Sequence, residues 1–479
     1  MRRLVRAWSL ITGLLVTWLL TFGAGGVSAH VGSPDIFLEG SAGPYPVFVT
    51  IRPPTVIPGV AEIEIRCGSP DVQAMRITPM PMVGEASKHP PTADEMRRSK
   101  DDPQFFTGSV WLMASGSLQV RVQVDGARGP GTLSVPVPAV ATRTKPMLRA
   151  MGVGLFVMML VLALGLVSIV GAGAREGQLE AGVAADGRLK MRARILMVAT
   201  AGFVIFILWA GNHWWASAAD EYAGYIYKPL AMSTEVEPGD RLKLTLKTTD
   251  WALGRMLDDF LPDHGHLMHL YVISEPDANR VWHLHPGMES AGVFTQSLPA
   301  MPAGKYKMYG DVVHRSGFAE TVVAELDLPR AITGNPLMGD DAGGMRGESP
   351  DGARIVWDRD AAPLVAKKAE IFRFKLIGKD GQPVRDAELY MGMPGHAAFV
   401  KNDGTVFAHV HPSGSVPMAA LALANPSSEA HDMAHMDGAL PAEADFPYGF
   451  PTAGDYRIIV QMKHAGVVET GVFDARVMP

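Results

Sequence analysis

The sequence predicts a mainly β protein, with three β-sandwich domains of immunoglobulin-like type and a two-helix transmembrane hairpin between the first and the second. Short strand-like runs, separated by glycine and proline turns, occupy most of the chain. Two long apolar segments lie in its middle, and a histidine-rich pattern occurs twice in its C-terminal half. A chain of 479 residues is too long for one ordinary domain and long enough for three.

Residues 1–29 have the features of a secretory signal peptide: a basic start, an apolar stretch and small residues before Ala29. Cleavage there makes His30 the new N-terminus. The α-amine and imidazole of one residue then form a chelate that suits Cu(II). The alternative is that His30 is simply the first residue of a strand.

Residues 30–146 are predicted to form the first, extracytoplasmic β-sandwich. Val47 to Ile51 and Leu118 to Val124 are two of its strand-like runs, and glycine- and proline-containing turns follow them. Short strands at this spacing are typical of a β-sandwich.

Two segments, 150–174 and 195–215, are apolar and long enough to cross a bilayer. The short loop between them, 175–194, is rich in basic residues, which favours the cytoplasmic side. Together with the signal peptide, this predicts a protein of the bacterial cytoplasmic membrane with both large regions on the periplasmic side.

The C-terminal half contains an internal duplication. Each copy has a histidine, a His-x-His-Pro motif about fourteen residues later, and a tyrosine that precedes another histidine by eight residues. The first copy spans 220–330, the second spans 353–479, and residues 331–352 are predicted to link them. The repeated residues are His269, His283, His285, Tyr306 and His314 in the first copy, and His396, His409, His411, Tyr456 and His464 in the second.

The histidines of each copy are predicted to lie on a β-hairpin. Residues i and i+2 of a strand share a face, so His283 and His285 point the same way, and a histidine on the partner strand can face them. Three converging imidazoles suit a late first-row metal ion. The alternative is a solvated strand face, on which such pairs are also common.

The candidate ligands fall into two sets. In the first copy, His269, His283 and His285 form the expected core, and the auxiliaries are His264, His266, His314 and Met288. In the second copy, the candidates are His396, His409, His411 and His464, with His431, Met433, His435 and Met436 on an inserted loop. Mixed imidazole and thioether ligands favour copper, although zinc or another late first-row metal fits the imidazoles. The alternative is that the insertion is an ordinary polar loop.

The repeated histidine pattern, followed by Gly304 to His314 or by Gly454 to His464, resembles the YtkA-like group of exported bacterial immunoglobulin-like domains. The segment that begins at His30 is similar to copper-resistance C proteins, a resemblance that implies Cu(II) binding at the mature N-terminus. The overall order of elements resembles the B subunit of particulate methane or ammonia monooxygenase. That likeness is one of architecture.

The expected function is metal binding by a membrane-anchored, extracytoplasmic protein, in copper delivery, buffering or tolerance. Its expected partners are membrane lipid and a copper-accepting protein. The alternative is a non-catalytic subunit of a membrane enzyme complex, bound to other membrane subunits. A catalytic metalloenzyme is less favoured, because no carboxylate is reliably placed as a general base beside the histidines, and Asp263 is the only near candidate. A net charge of −6 does not indicate nucleic-acid binding, and a single cysteine excludes a zinc site built on several thiolates.

Overall fold

The computed structural model describes residues 34–180, 182–349, 351–426 and 440–479. The expected signal peptide, 1–29, and its cleavage product's first residue, His30, lie outside the described residues. So do four candidate ligands on the inserted loop, which are His431, Met433, His435 and Met436.

The described chain is mainly β, as predicted. Its strands in chain order are β1 (Ile36–Ala42), β2 (Tyr45–Arg52), β3 (Gly59–Cys67), β4 (Val72–Pro81), β5 (Asp94–Glu95), β6 (Arg97–Arg98), β7 (Phe105–Leu112), β8 (Gly116–Gly126), β9 (Gly129–Ala139), β10 (Ala231–Glu237), β11 (Arg241–Lys247), β12 (Phe260–Leu261), β13 (His269–Glu275), β14 (Arg280–Leu284), β15 (Gly287–Ser290), β16 (Val293–Ser297), β17 (Gly304–His314), β18 (Ala319–Leu328), β19 (Ala342–Met345), β20 (Arg354–Asp358), β21 (Leu364–Val365), β22 (Glu370–Ile377), β23 (Ala387–Glu388), β24 (His396–Lys401), β25 (Phe407–Val410), β26 (Glu443–Tyr448), β27 (Gly454–His464) and β28 (Val467–Met478). The helices are α1 (Arg149–Glu176), α2 (Gly187–Gly224), α3 (Met418–Ala424) and a 3-10 turn at Glu85–Lys88.

The N-terminal region consists of two sheets that share one hydrophobic core. Their strand orders are β1-β2-β3-β7-β6 and β5-β4-β8-β9. In β3, Ala61, Ile63 and Ile65 are fully or almost fully buried, whereas the glutamates between them are not. This alternation follows from the two-residue period of a strand and places every second side chain in the core. Cys67 ends β3 and belongs to that core.

Helices α1 and α2 are long and apolar enough to cross a membrane, by length and composition. Most of their side chains are exposed. Helix α2 begins at Gly187, earlier than the sequence pattern predicts, because Asp186 caps it: Oδ1 of Asp186 accepts a hydrogen bond from the Leu189 N–H at 2.7 Å. The helices meet at Gly171, where an added Cβ would lie 2.5 Å from the sulfur of Met197.

Each copy in the C-terminal half has a smaller and a larger sheet around its own core. In the first copy the orders are β10-β11-β16-β15 and β12-β17-β13-β14-β19, with β18 beside β17. In the second copy they are β20-β22-β26 and β21-β28-β27-β24-β25, with β23 beside β27. The predicted hairpins are confirmed, since β13 pairs with β14 and β24 pairs with β25 in antiparallel register.

The larger sheets of the two copies pack against each other and form a separate apolar cluster. In β13, Leu270 and Val272 face the core of their own copy, while Tyr271 and Ile273 face the other copy. Across the interface, the ring of Phe407 stacks on Tyr309 with 4.4 Å between centroids. The hairpin face that carries the histidines is therefore covered by protein rather than by solvent.

Two connections lie close to the histidines. Strand β19 is formed by residues 342–345, within the expected linker, and it pairs with β14. In the second copy, the segment after His411 binds the N-terminal region: Leu38 forms a β-bridge with Gly414, and Asn425 at the end of α3 exchanges hydrogen bonds with the backbone of Ser134. These contacts position the loops at the edge of the histidine cluster.

Candidate metal centre

Histidines of both copies meet at one end of the interface between the larger sheets. Two groups of three have ligand nitrogens that all lie within 4.8 Å of one another. One group is His269, His283 and His409, and the other is His264, His396 and His411. Each group takes residues from both copies. The sequence predicts one site per copy, whereas the structure brings histidines of both copies together. We call these six residues, with His266 and His285 at their rim, the histidine cluster.

The turn before each hairpin has the same backbone in the two copies. In the first copy, Asp263 and His266 form a β-bridge, and His264 between them has φ 51°. In the second copy, Tyr390 and Met393 form the same bridge, and Met391 has φ 50°. A glycine with positive φ follows each of these left-handed residues. Methionines thus occupy the positions that histidines hold in the first copy.

The neighbours of His269 and His283 fix where their protons lie. Nε2 of His269 donates to the Asp263 carbonyl oxygen at 3.0 Å, and Nδ1 of His283 donates to Oε1 of Gln461 at 2.9 Å. Because oxygens of these types only accept, the other nitrogen of each neutral ring carries a lone pair. Those two nitrogens, Nδ1 of His269 and Nε2 of His283, face each other at 3.1 Å.

The second copy repeats this arrangement. Nε2 of His396 donates to the Tyr390 carbonyl oxygen at 3.2 Å, and Nδ1 of His409 lies 3.5 Å from the Asp311 carboxylate. Nδ1 of His396 and Nε2 of His409 then face each other at 3.2 Å with their lone pairs. Opposed lone pairs repel unless metal ions bind them, and metal-ligating histidines characteristically donate their other ring N–H to a carbonyl or carboxylate oxygen.

Burial lowers the pKa of most of the cluster histidines, which favours their neutral form near pH 7. Burial, reinforced by the imidazole of His285, holds the pKa of His269 and of His283 well below the ordinary value. Burial and the neighbouring His411 do the same to the pKa of His396 and His409, and burial lowers the pKa of His411 to about 3. Neutral imidazoles present lone pairs to a metal ion without first losing a proton.

Several buried ring nitrogens of the cluster have no hydrogen-bond partner among the described residues. They are Nε2 of His264, Nε2 of His285 and both nitrogens of His411. Buried polar atoms are almost always paired, and a bound ion is one explanation when they have no partner in the protein. The residues present therefore fit a metal ion with imidazole ligands.

His266 and His285 lie at the rim of the cluster and are held by consecutive aspartates. Nδ1 of His285 lies 3.1 Å from Asp341, and Nε2 of His266 lies 3.0 Å from Asp340. The two rings stack with 4.0 Å between centroids. The sequence pattern predicts His285 as the third ligand beside His269 and His283. In the structure, the third member of that group is His409 of the other copy.

Two residues that sequence reasoning did not assign to the site bind its histidines across the interface. Gln461 of the second copy holds His283 of the first, and Asp311 of the first copy lies beside His409 of the second. Burial raises the pKa of Asp311 to about 7. Both residues lie three positions before the last histidine of their copy, and that shared position is the signal that could have identified them.

The cluster borders a cavity of about 190 Å³. Its walls come from the N-terminal region and from both copies, and most of them are apolar, with Pro34, Val140 and Phe318 among them. The cluster residues that line it include His269 and His409. A small species entering this cavity reaches the cluster without unfolding of either copy.

Three candidates lie apart from the cluster. Met288 packs against the core of the first copy. His314 contacts Asp259 and Glu320, and His464 contacts Asp351 near Glu469. Thus the last histidine of each copy lies apart from the histidine cluster and contacts acidic residues instead.

The fold and the cluster define a mainly β protein with a candidate metal centre shared between two copies of one pattern. Residues 223–328 and 348–479 match the model of a family described as a domain of unknown function, DUF8832. The matched segments contain every described histidine of the cluster. No curated protein matches the chain.

Solved structures similar to this chain include a tetra-tandem repeat in the extending region of a large adhesion protein, with 9% identity, 88% of this chain and 71% of that chain covered, and a TM-score of 0.15. Dimeric latent PorU from Porphyromonas gingivalis has 9% identity and a TM-score of 0.14 over 88% of this chain and 32% of that chain. Salmonella alpha-2-macroglobulin reacted with methylamine has 8% identity and a TM-score of 0.19 over 95% of this chain and 24% of that chain. None of these likenesses bears on the fold or the function of this chain.

Proposed function

We propose that this protein is a membrane-anchored, extracytoplasmic copper-binding protein whose two copies share a centre for two copper ions. The observation that carries this proposal is the convergence of buried ring nitrogens from both copies in two groups, one of His269, His283 and His409 and the other of His264, His396 and His411, within each of which they lie within 4.8 Å of one another. Each three-histidine group offers enough imidazoles for one ion. Copper stands highest among divalent first-row metals in affinity for such ligands.

The burial of the cluster supports a role in holding copper tightly, as in buffering or tolerance, with delivery to an acceptor through the cavity. His283 and His396 have no exposed surface, and His269 is 2% exposed. A metal ion there has little contact with bulk water, whereas the cavity at His269 and His409 offers one route for exchange. The acceptor oxygens around the cluster orient its rings for binding before a metal arrives.

The two apolar helices support the membrane anchor. Leu162, Ile169 and Trp209 are more than 60% exposed, which in water would leave a large apolar surface uncovered. Lipid covers such a surface, and the basic residues between the helices favour a cytoplasmic loop. The same surface fits the alternative of a subunit that binds other membrane proteins, for which we expect stable co-purification with polytopic partners from mild detergent.

One observation favours catalysis at the same centre as a second candidate function. The cavity is mostly apolar, and the Asp311 carboxyl lines it beside His409. A carboxyl whose pKa is about 7 can accept a proton near neutral pH, as a general base does. Substrate-dependent activity that the copper-loaded protein shows and that Asp311→Asn loses would establish this function; identical activity in the variant would exclude it.

The experiment that tests the copper proposal is an anaerobic Cu(I) titration of the full chain, purified in detergent without a histidine tag. We expect two tightly bound equivalents. Zn(II) titrated separately gives the comparison for metal preference. Binding no tighter than that of an exposed histidine pair would make the cluster a structural feature and refute the proposal.

A further inference from the structure

A second set of possible ligands lies in the second copy, apart from the histidine cluster. His464 ends β27, Glu469 lies on β28, and Asp351 precedes β20. One ligand atom of each residue lies within 4.8 Å of those of the other two. Nε2 of His464 is 3.1 Å from the Asp351 carboxylate. We call these three residues the carboxylate triad.

The first copy has equivalents of His464 and Glu469, and there both side chains are paired. Glu320 corresponds to Glu469, because each is followed by a threonine and lies on the strand after the last histidine. Arg255 forms an ion pair with Glu320, and the Tyr227 hydroxyl donates to the same carboxylate at 2.8 Å. His314 lies between Glu320 and Asp259. A fixed guanidinium therefore balances the buried carboxylate of the first copy.

The carboxylate triad has no such cation. Among the described residues, no lysine or arginine forms an ion pair with Glu469 or Asp351; Lys463, next to His464 in sequence, pairs with Glu388. His464 is 6% exposed and Glu469 is 2% exposed. Oε1 of Glu469 has no hydrogen-bond partner in the described part of the chain, and the ring nitrogens of His464 have carboxylates beside them, Asp351 at 3.1 Å from Nε2 and Asp386 at 3.6 Å from Nδ1. A buried carboxylate without a partner is costly, so this arrangement calls for a positive charge.

We propose that the carboxylate triad binds a divalent cation of the Zn(II) class, with His464, Glu469 and Asp351 as its protein ligands. One imidazole and two carboxylates make a harder ligand set than the all-imidazole cluster, and such mixed nitrogen and oxygen sets suit zinc rather than Cu(I). The side chain of Asp351 is 35% exposed, which leaves a path for the ion to enter.

The position of the triad indicates a structural role. Glu469 and His464 belong to one hairpin, whereas Asp351 lies in the segment that enters the second copy before β20. An ion bound by all three ties that entering segment to the sheet. Binding of the ion to the folded protein alone then raises its stability.

The test is a Zn(II) titration of the full chain by equilibrium dialysis, with Asp351→Asn, Glu469→Gln and, as a matched control, Glu388→Gln. We expect both triad variants to bind one equivalent fewer than the wild type, or to bind it at least about tenfold more weakly, and the control to be unchanged. Asp351 is partly exposed, so its variant should fold even if Glu469→Gln does not. An unchanged zinc count in Asp351→Asn overturns the proposal.

The result is independent of the copper proposal. Asp351→Asn should bind Cu(I) with the wild-type stoichiometry, since no ligand of the histidine cluster is altered. If the protein binds no copper but still loses a zinc equivalent in this variant, the copper proposal fails and the triad remains.

Discussion

Nδ1 of His283 in the first copy donates a hydrogen bond of 2.9 Å to Oε1 of Gln461 in the second copy. Nε2 of Gln461 in turn donates to Oγ1 of Thr470 at 3.3 Å. The tautomer of a histidine in one copy is thus set by the other copy. This contact couples the packing of the two copies to the ligand chemistry of His283.

Replacing Gln461 by alanine should weaken copper binding without removing a ligand. The Nδ1–H of His283 loses its acceptor, and such outer partners typically contribute about 10- to 100-fold in metal affinity. Competition titration of Cu(I) against a chelator measures the change. Gln461→Glu is the matched control because it keeps an acceptor oxygen and should bind more tightly than Gln461→Ala. Equal affinity of wild type and alanine variant would contradict the role of this contact.

The metal-free protein should lose stability as the pH falls below about 6.5. Seven histidines of the cluster have lowered pKa values, so the unfolded chain binds protons that the folded chain does not. Stability therefore rises with pH up to the unfolded pKa of about 6.5 and falls below it. The raised pKa values of five carboxyl groups and of His314 act in the opposite direction and make the net loss of stability smaller; the carboxyl groups are those of Asp35, Glu39, Asp263, Asp311 and Glu469.

Thermal unfolding at pH 7.5 and pH 5.5 measures this dependence. Each fully buried histidine contributes at most about 1.4 kcal/mol per pH unit below its unfolded pKa. A variant with His269→Asn and His409→Asn should show a smaller drop in Tm between the two pH values. An apoprotein that is more stable at pH 5.5 than at pH 7.5 would show that the histidines are not buried in their neutral form.

Replacing Arg255 by methionine should destabilise the first copy by roughly 3–5 kcal/mol. The side chains of Arg255 and Glu320 are 6% and 0% exposed, so the substitution leaves a buried carboxylate without its main cation. Burial lowers the pKa of His314, but hydrogen bonds with Glu320 and Asp259 raise it overall, so protonated His314 compensates in part. Urea unfolding gives the free-energy change.

The control for this substitution is Arg373→Met. Arg373 pairs with Asp445 at the surface, where the side chains are 46% and 32% exposed. Exposed pairs contribute about 0–1 kcal/mol, so this variant should unfold nearly like the wild type. If both variants lose the same stability, the Arg255 pair has no special role in the buried site.

Replacing Phe407 by alanine should loosen the contact between the two copies. Phe407 is 1% exposed and stacks on Tyr309 across the interface, and large-to-small changes at such positions cost about 3–5 kcal/mol. The histidine groups span the same interface, so copper affinity should fall together with stability. Wild-type copper affinity in a destabilised Phe407→Ala variant would show that the ligands do not depend on this packing.

The sequence predicts the local structure around the histidines because it depends on short-range spacing. The two-residue period of a strand places His283 and His285 on one face and Trp282 on the other, and the turn residues 275–279 close the hairpin. The structure has this hairpin, with Trp282 in the core of the first copy. Likewise, the apolar runs predict α1 and α2, although the cap at Asp186 moves the start of α2.

The partnership between the copies could not be predicted in the same way. Nothing in local spacing indicates that the face bearing His269 packs against the face bearing His409, since that depends on how two separate sheets dock. The apolar residues Tyr271 and Ile273, which alternate with the buried core positions, are the sign that both faces of β13 are covered. The contact between Asp341 and His285 could not be predicted because Asp341 lies in a segment whose composition predicts a linker.

The central claim is that each metal site takes ligands from both copies. The most direct test is the Cu(I) stoichiometry of two double variants, His269→Ala/His409→Ala and His264→Ala/His409→Ala. Shared sites predict that the first variant keeps one equivalent, because both changes fall in one group, and that the second variant loses both. If each copy held its own ion, His269→Ala/His409→Ala would damage both sites and lose both equivalents, and that result would contradict the account.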